Sequence, residues 1–129
     1  IYNAASNKVL TAGATFGSAA GIVPLSGTSS VTPDFTTGIN FSFTATSATN
    51  FTLQNPTLTS AMVGRTGCIF IQQPASGTTV SITYGTVWSA PGGSSSQVLT
   101  QTLTALDMLC YLVQSTTNIV FTISNTVFH

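Results

Sequence analysis

The chain has 129 residues, of which 43% are hydrophobic and only 3% charged, with a formal net charge of zero. An ordinary globular protein carries roughly 25% charged residues. Two cations cannot neutralise a phosphate backbone or build a basic patch for acidic lipid. Two distant aspartates and a terminal histidine are poor material for acid–base catalysis.

The length suits one domain with a real core, and a surface with so little self-repulsion suits a protein that assembles. Residues 1–33 are rich in Ala, Ser, Thr and Gly and only weakly periodic. They read as an extended arm holding at most one short strand, closed by the turn signal Thr32-Pro33-Asp34 and ordered by lying on something else. Gly13, Gly17 and Gly21 have the spacing of packed membrane helices, but threonines and Pro24 interrupt the run. It falls short of a clean apolar span, and no basic region precedes it as in a signal peptide.

From Phe35 the pattern alternates with period two, so residues 34–129 read as the folded domain. "INFSFTAT" puts Ile39, Phe41, Phe43 and Ala45 on one face. "NFTLQNP" does the same with Phe51 and Leu53 before Pro56 stops it. "GCIFIQQ" is apolar on both faces and should lie centrally. A turn at Pro74, Ser76 and Gly77 leads into "TVSITYG", with Val80, Ile82 and Tyr84 on one face.

Pro91 and the Gly92–Gly93 pair make "VWSAPGGSSSQ" a loop. "VLTQTLTALDMLCYLV" fits a helical face or strands; its threonines favour a strand to Leu103, a turn through Asp107 and a buried strand to Val113. "NIVFTIS" closes the chain as another alternating strand. Seven or eight short strands predict an all-β fold, a β-sandwich or jelly roll.

Few residues invite chemistry. Asp107 is a charge inside "ALDMLCYL". It reads as a carboxylate that caps backbone N–H groups at a turn or pairs with Arg65, ahead of a catalytic acid. Arg65 reads as structural, Asp34 as a turn residue, and His129 as a solvated terminus. Tyr84 and Trp88, beside the Pro91–Gly93 loop, form a possible sugar-stacking platform, against the alternative that both pack at the end of a hairpin. Cys68 and Cys110 sit in separate apolar runs and read as buried free thiols ahead of a disulfide; without a nearby histidine they make no zinc site. No phosphate loop or nucleophile elbow occurs, and no cofactor is expected.

The stretch from Asn55 to about Ile123 resembles bacteriophage virion proteins of the tail-fibre and capsid decoration kind. The resemblance rests on Gly64, Gly67, Gln73, Gly77, Trp88, Gly93 and Asp107: a Gly-x-x-Gly turn, a strand ending in Gln, a Gly-containing turn, a strand ending near Trp, a Pro-Gly-Gly loop and a Thr-rich segment leading to Asp. Cys68 stands where the pattern usually has a small or polar residue, and the turn at Pro74 lacks the acidic residue often found there. The resemblance implies a β-rich, oligomeric structural protein without catalysis. On this reading the protein is a decoration (cement) protein on the capsid surface, with the major capsid protein and itself as partners, a trimer being preferred over a dimer. A tail-fibre or receptor-binding module using Tyr84, Trp88, Pro91, Gly92 and Gly93 is the alternative.

Overall fold

The computed structural model describes residues 21–128, the last four of them by backbone alone. Among the described residues are nine strands: β1 (Ile22–Pro24), β2 (Ser30–Val31), β3 (Asn40–Thr44), β4 (Phe51–Leu53), β5 (Thr66–Gln72), β6 (Ile82–Tyr84), β7 (Trp88–Ser89), β8 (Leu106–Ser115) and β9 (Asn118–Phe128). They form a six-stranded sheet, in the order β1-β3-β5-β8-β9-β7, and a three-stranded sheet, β2-β4-β6. The strands beyond the expected seven or eight are two- and three-residue pieces too short to show a period.

Strand direction decides between the two expected architectures. β1, β3 and β5 run parallel in the large sheet, and β2, β4 and β6 run parallel in the small one. The chain therefore winds as a coil, placing one strand in each sheet per turn. Only β8 runs against its sheet: it pairs antiparallel with β5 on one side and with β9, its hairpin partner, on the other, and β7 pairs in parallel on the far side of β9. The result is a two-sheet sandwich; a jelly roll is built from antiparallel Greek keys.

The core lies between the sheets. Phe41, Ile69 and Leu109 stand side by side across β3, β5 and β8, and Phe51 and Ile82 face them from the small sheet. Each alternating face read from the sequence turns inward: Phe41, Phe43 and Ala45, Phe51 and Leu53, and Val80 and Ile82 are buried, while Ile39 and Tyr84 at the ends of their runs are half-buried. β5, apolar on both faces, is indeed internal to its sheet.

The coil also explains the uncharged polar composition. Short polar side chains of one turn accept backbone N–H groups of the next. Asn40 Oδ1 accepts from Cys68 (3.0 Å), Ser47 Oγ from Thr78 (2.8 Å), Asn50 Oδ1 from Ser81 (2.8 Å) and Asn55 Oδ1 from Val87 (3.0 Å). Thr52 and Thr83, register partners on β4 and β6, meet through their hydroxyls at 2.7 Å. Parallel stacking sets the outer side chains of adjacent strands directly beside each other, where like charges repel and hydroxyls bond. Lys and Glu side chains are also too long for these short reaches.

Two expectations are corrected along the chain. Part of the expected arm is fold: Ile22–Pro24 pairs with β3, and Ser30–Val31 pairs with β4. A truncation at Pro33 would thus remove β1 and β2. The rest of the arm, residues 1–20, lies outside the described residues, as do His129 and most of the glycine-spaced segment. The segment expected as a strand to Leu103 is irregular, and β8 begins at Leu106, so Asp107 sits inside a strand instead of in a turn. The turn lies before it, where Thr104 has φ 65° and Ala105 N–H donates to Thr102.

The two cysteines are bonded, not free. Cys68 and Cys110 are register partners on β5 and β8 with Cα atoms 4.0 Å apart. The Cys68 N–H turns away from β8, towards Asn40 on β3, so the pair occupies a non-hydrogen-bonded position, where facing side chains come closest. No local pattern announces this, because the two positions are 42 residues apart in sequence. Closing a loop of that size stabilises by about 2–4 kcal/mol. Reduction, or the double variant C68S/C110S, should lower the thermal midpoint and leave the far-ultraviolet circular dichroism of the folded state unchanged. An unaltered midpoint on reduction would remove the bond from the stability account.

Gly67 shows what one missing side chain allows. A Cβ there would stand 1.9 Å from the Ile39 carbonyl oxygen and 2.7 Å from Tyr111 Oη. In that space Tyr111 Oη donates to the Ile39 carbonyl (2.6 Å), and Phe35 stacks on the Tyr111 ring at 5.1 Å. Gly64 and Gly77 each have φ of 90° and sit in turns, as their positions in the sequence suggest.

Candidate functional site

Three places gather the residues singled out in the sequence. The first is the corner where β6 and β7 meet the hairpin. Trp88 is only 3% exposed. Its Nε1–H donates to the Gln54 carbonyl (3.0 Å), and its ring meets Tyr111 and Phe121 edge-on at 6.3 and 5.6 Å. Tyr84 packs on Phe121 at 4.6 Å and donates its hydroxyl to the Gln97 carbonyl (2.8 Å).

Trp88 therefore offers no free face for stacking a sugar, and Tyr84 is half-buried with its ring against Phe121 and its hydroxyl engaged. The Pro91–Gly92–Gly93 loop is exposed. Gly92 and Gly93 take φ of 77° and 92°, and Ser96 Oγ donates to the Gly93 carbonyl (2.7 Å), tightening the turn. Of the five residues proposed for partner contact, the loop is the part at the surface.

Burial pushes both phenols above their ordinary value of 10, with the Asp107 charge adding to the effect at Tyr84 and Arg65 opposing it at Tyr111. A phenol whose folded value is raised contributes stability that is complete below the unfolded value and is lost as pH rises towards the folded one. The thermal midpoint should therefore fall above about pH 10, with tyrosinate absorbance of these two rings appearing together with unfolding. In a Tyr2→Phe variant, which leaves only these two phenols, tyrosinate signal from a still-folded protein at pH 10 to 11 would contradict that burial.

The second place is a buried polar cluster that the sequence did not point to as such. Gln73, 1% exposed, donates Nε2–H to the carbonyls of Val80 (2.9 Å) and Thr100 (3.0 Å), and its Oε1 accepts the Val80 N–H (2.9 Å). Asp107 Oδ2 accepts the Thr100 N–H, and Oδ1 accepts the Thr100 hydroxyl, each at 2.7 Å. Gln101 Nε2 donates to the Val80 and Leu99 carbonyls at 3.0 and 3.2 Å.

These side chains do the work of a missing strand, pinning an irregular segment that has no ladder of its own. Asp107 lies at the register shift between Leu106 and Met108, and such a shift re-aims a side chain. Asp107 does accept a backbone N–H, that of Thr100, but from within β8 and not at a turn. The expected pairing with Arg65 is not found: the Arg65 guanidinium donates through Nη1 to the Phe35 carbonyl. The signals for this cluster in the sequence were a glutamine at the end of an apolar strand, followed by a turn, and the lone charge of Asp107 inside an apolar run.

The third place is a groove of about 570 Å³ between the 34–39 turn and the 61–66 turn, with Arg65, Thr36, Thr37 and Thr66 in its lining. Asp34 shapes the first of these turns: Oδ1 accepts the Thr36 hydroxyl (2.6 Å) and N–H (2.9 Å), which hold its carboxyl below the usual range. One cation, already engaged, among neutral hydroxyls gives a polar contact surface and no acid–base pair.

Among the described residues no group of three or more His, Cys, Asp or Glu stands together as metal ligands. No described helix is long and apolar enough to cross a membrane. No protein-family model, curated protein or solved structure matches the chain.

Proposed function

We propose that this chain is a non-enzymatic structural protein of a bacteriophage virion, acting as part of a homo-oligomeric fibre or receptor-binding assembly. The observation that carries the reading is the parallel coil, in which each turn supplies hydrogen-bond acceptors to the next. Such an architecture grows along its axis, as a shaft does. Its uncharged Ser, Thr and Asn surfaces can meet other protein without desolvating charges, which is costly. The exposed Pro91–Gly93 loop and the Arg65 groove are then the surfaces open to a host receptor.

Capsid decoration is the second reading. It drew support from an arm over residues 1–33, and the described part of that arm belongs to the sheets. Its partner would be the major capsid protein.

Cryo-electron microscopy of intact particles separates the readings. Density for this fold at the tail or fibre supports the first, and density repeated over the head shell supports the second. Absence of the chain from purified particles, measured by mass spectrometry, would remove the virion assignment altogether.

A further inference from the structure

β8 departs from the pattern of a sheet with one wet face. Its inward side chains, Asp107, Leu109, Tyr111 and Val113, are buried against the core. Its outward side chains begin with Leu106, Met108, Cys110 and Leu112, which are apolar as well. Phe70 on β5 stands beside Met108, and Val120 on β9 stands beside Leu112. Leu112 and Val120 are 38% and 37% exposed, and a shallow groove of about 410 Å³ runs over them to Pro91. An antiparallel pair with one solvated face normally alternates apolar and polar residues. Among the described residues, this strand, apolar on both sides, is covered on one only.

We propose that this outer face, centred on β5, β8 and β9, is the surface by which a second copy of the chain packs, sheet against sheet. The inference deepens the homo-oligomeric reading above and names its interface. Three observations select a second copy. First, no outward position on β3, β5, β8 or the side-chain-described part of β9 carries a charge, so two identical faces meet without like-charge repulsion, as a two-fold contact requires.

Second, the face comes near the needed size. Strands β3, β5, β8 and β9 have 5, 7, 10 and 11 residues; at about 3.3 Å per residue and about 4.8 Å between strands they span on the order of 500 Å² in projection, approaching the ~800 Å² that each partner contributes to a stable complex. Third, covering a face several strands wide takes another layer of structure, which a second copy of the sheet supplies. Packed sheets lie about 10 Å apart with their side chains interdigitated, and Leu112 and Val120 stand out from the face to do that.

The test is sedimentation velocity of the full chain over a range of concentrations, for the wild type, Thr122→Glu and the double variant L112E/V120E. Thr122 is already exposed and neighbours Cys110 across the hairpin, so its replacement leaves the core untouched even if the double variant misfolds. The expected result is an associated wild type and a Thr122→Glu protein whose dissociation constant rises at least tenfold, with unchanged far-ultraviolet circular dichroism. A monomeric wild type at tens of micromolar, or variants that associate like the wild type, would overturn the proposal. So would a monomer whose Met108 becomes oxidisable by peroxide only after residues 1–20 are deleted, since the chain would then cover its own face. Failure of the virion reading shows instead in the particle images, and a protein absent from particles could still associate through this face.

Discussion

Replacing Gln73 with alanine should cost about 3–5 kcal/mol, enough to unfold a large fraction of a protein of ordinary stability. The side chain is fully enclosed and makes three hydrogen bonds to main chain: two donated, to Val80 and Thr100, and one accepted, from Val80. Alanine deprives the buried Val80 N–H of this acceptor, and each buried polar group left unsatisfied costs about 1–3 kcal/mol. The vacated volume adds a cavity term.

Gln73→Glu should be at least as damaging at neutral pH, because it turns the donor into an acceptor aimed at two carbonyl oxygens. Gln72→Ala is the control: that side chain is exposed, and surface changes of this kind stay within about 0.5 kcal/mol. Urea unfolding of the three variants reads the result as shifts of midpoint at constant slope. Equal midpoints for Gln72→Ala and Gln73→Ala would show that the cluster does not hold the 97–105 segment as described.

Trp88→Ala should cost about as much, roughly 3–5 kcal/mol, through lost packing. The indole lies between the sheets, edge-on to two aromatic rings, and donates to the Gln54 carbonyl next to the end of β4. Trp88→Phe keeps part of the packing and gives up the hydrogen bond, so its loss should be smaller, about 1–2 kcal/mol.

This is the chain's single tryptophan, so its emission reports on its own surroundings. The wild-type maximum should be blue-shifted and move red only with unfolding. The same variant decides the sugar-platform reading. A Trp88→Ala protein of wild-type stability that had lost glycan binding would place the ring at a ligand surface and contradict its burial.

Face assignments were legible in the sequence because they depend on local alternation. Phe41 and Phe43, Phe51 and Leu53, and Val80 and Ile82 are buried as their spacing predicts. The same pattern predicts an internal position for β5. It could not distinguish strands that return in the same direction from strands that return in the opposite one, since both bury the same face. The coil therefore went unread, and with it the place of β1 and β2 as its first turn. Trp88 and Tyr84 were visible as aromatics beside a loop, but whether their faces were free depended on Phe121 and Tyr111, which come from elsewhere in the chain. Gln73 was visible only as a strand-ending residue; what it bonds lies 7 and 27 positions away.

An all-β chain with almost no charge, the inward face of the longer strands and the turns at Gly64, Gly77 and the Pro91–Gly93 loop can be read from the residues alone. These follow from side-chain period and backbone preference, which act over a few residues. Strand direction, the Cys68–Cys110 bond and the partners of Asp107 and Arg65 emerge only once the chain is folded. Each of these is a meeting of distant segments, fixed by the summed packing of both sheets and not by any one stretch. The outer face of β8 belongs to both levels. Its apolar residues are written in "ALDMLCYLV", and among the described residues Leu106, Met108 and Cys110 are left half-buried and Leu112 exposed.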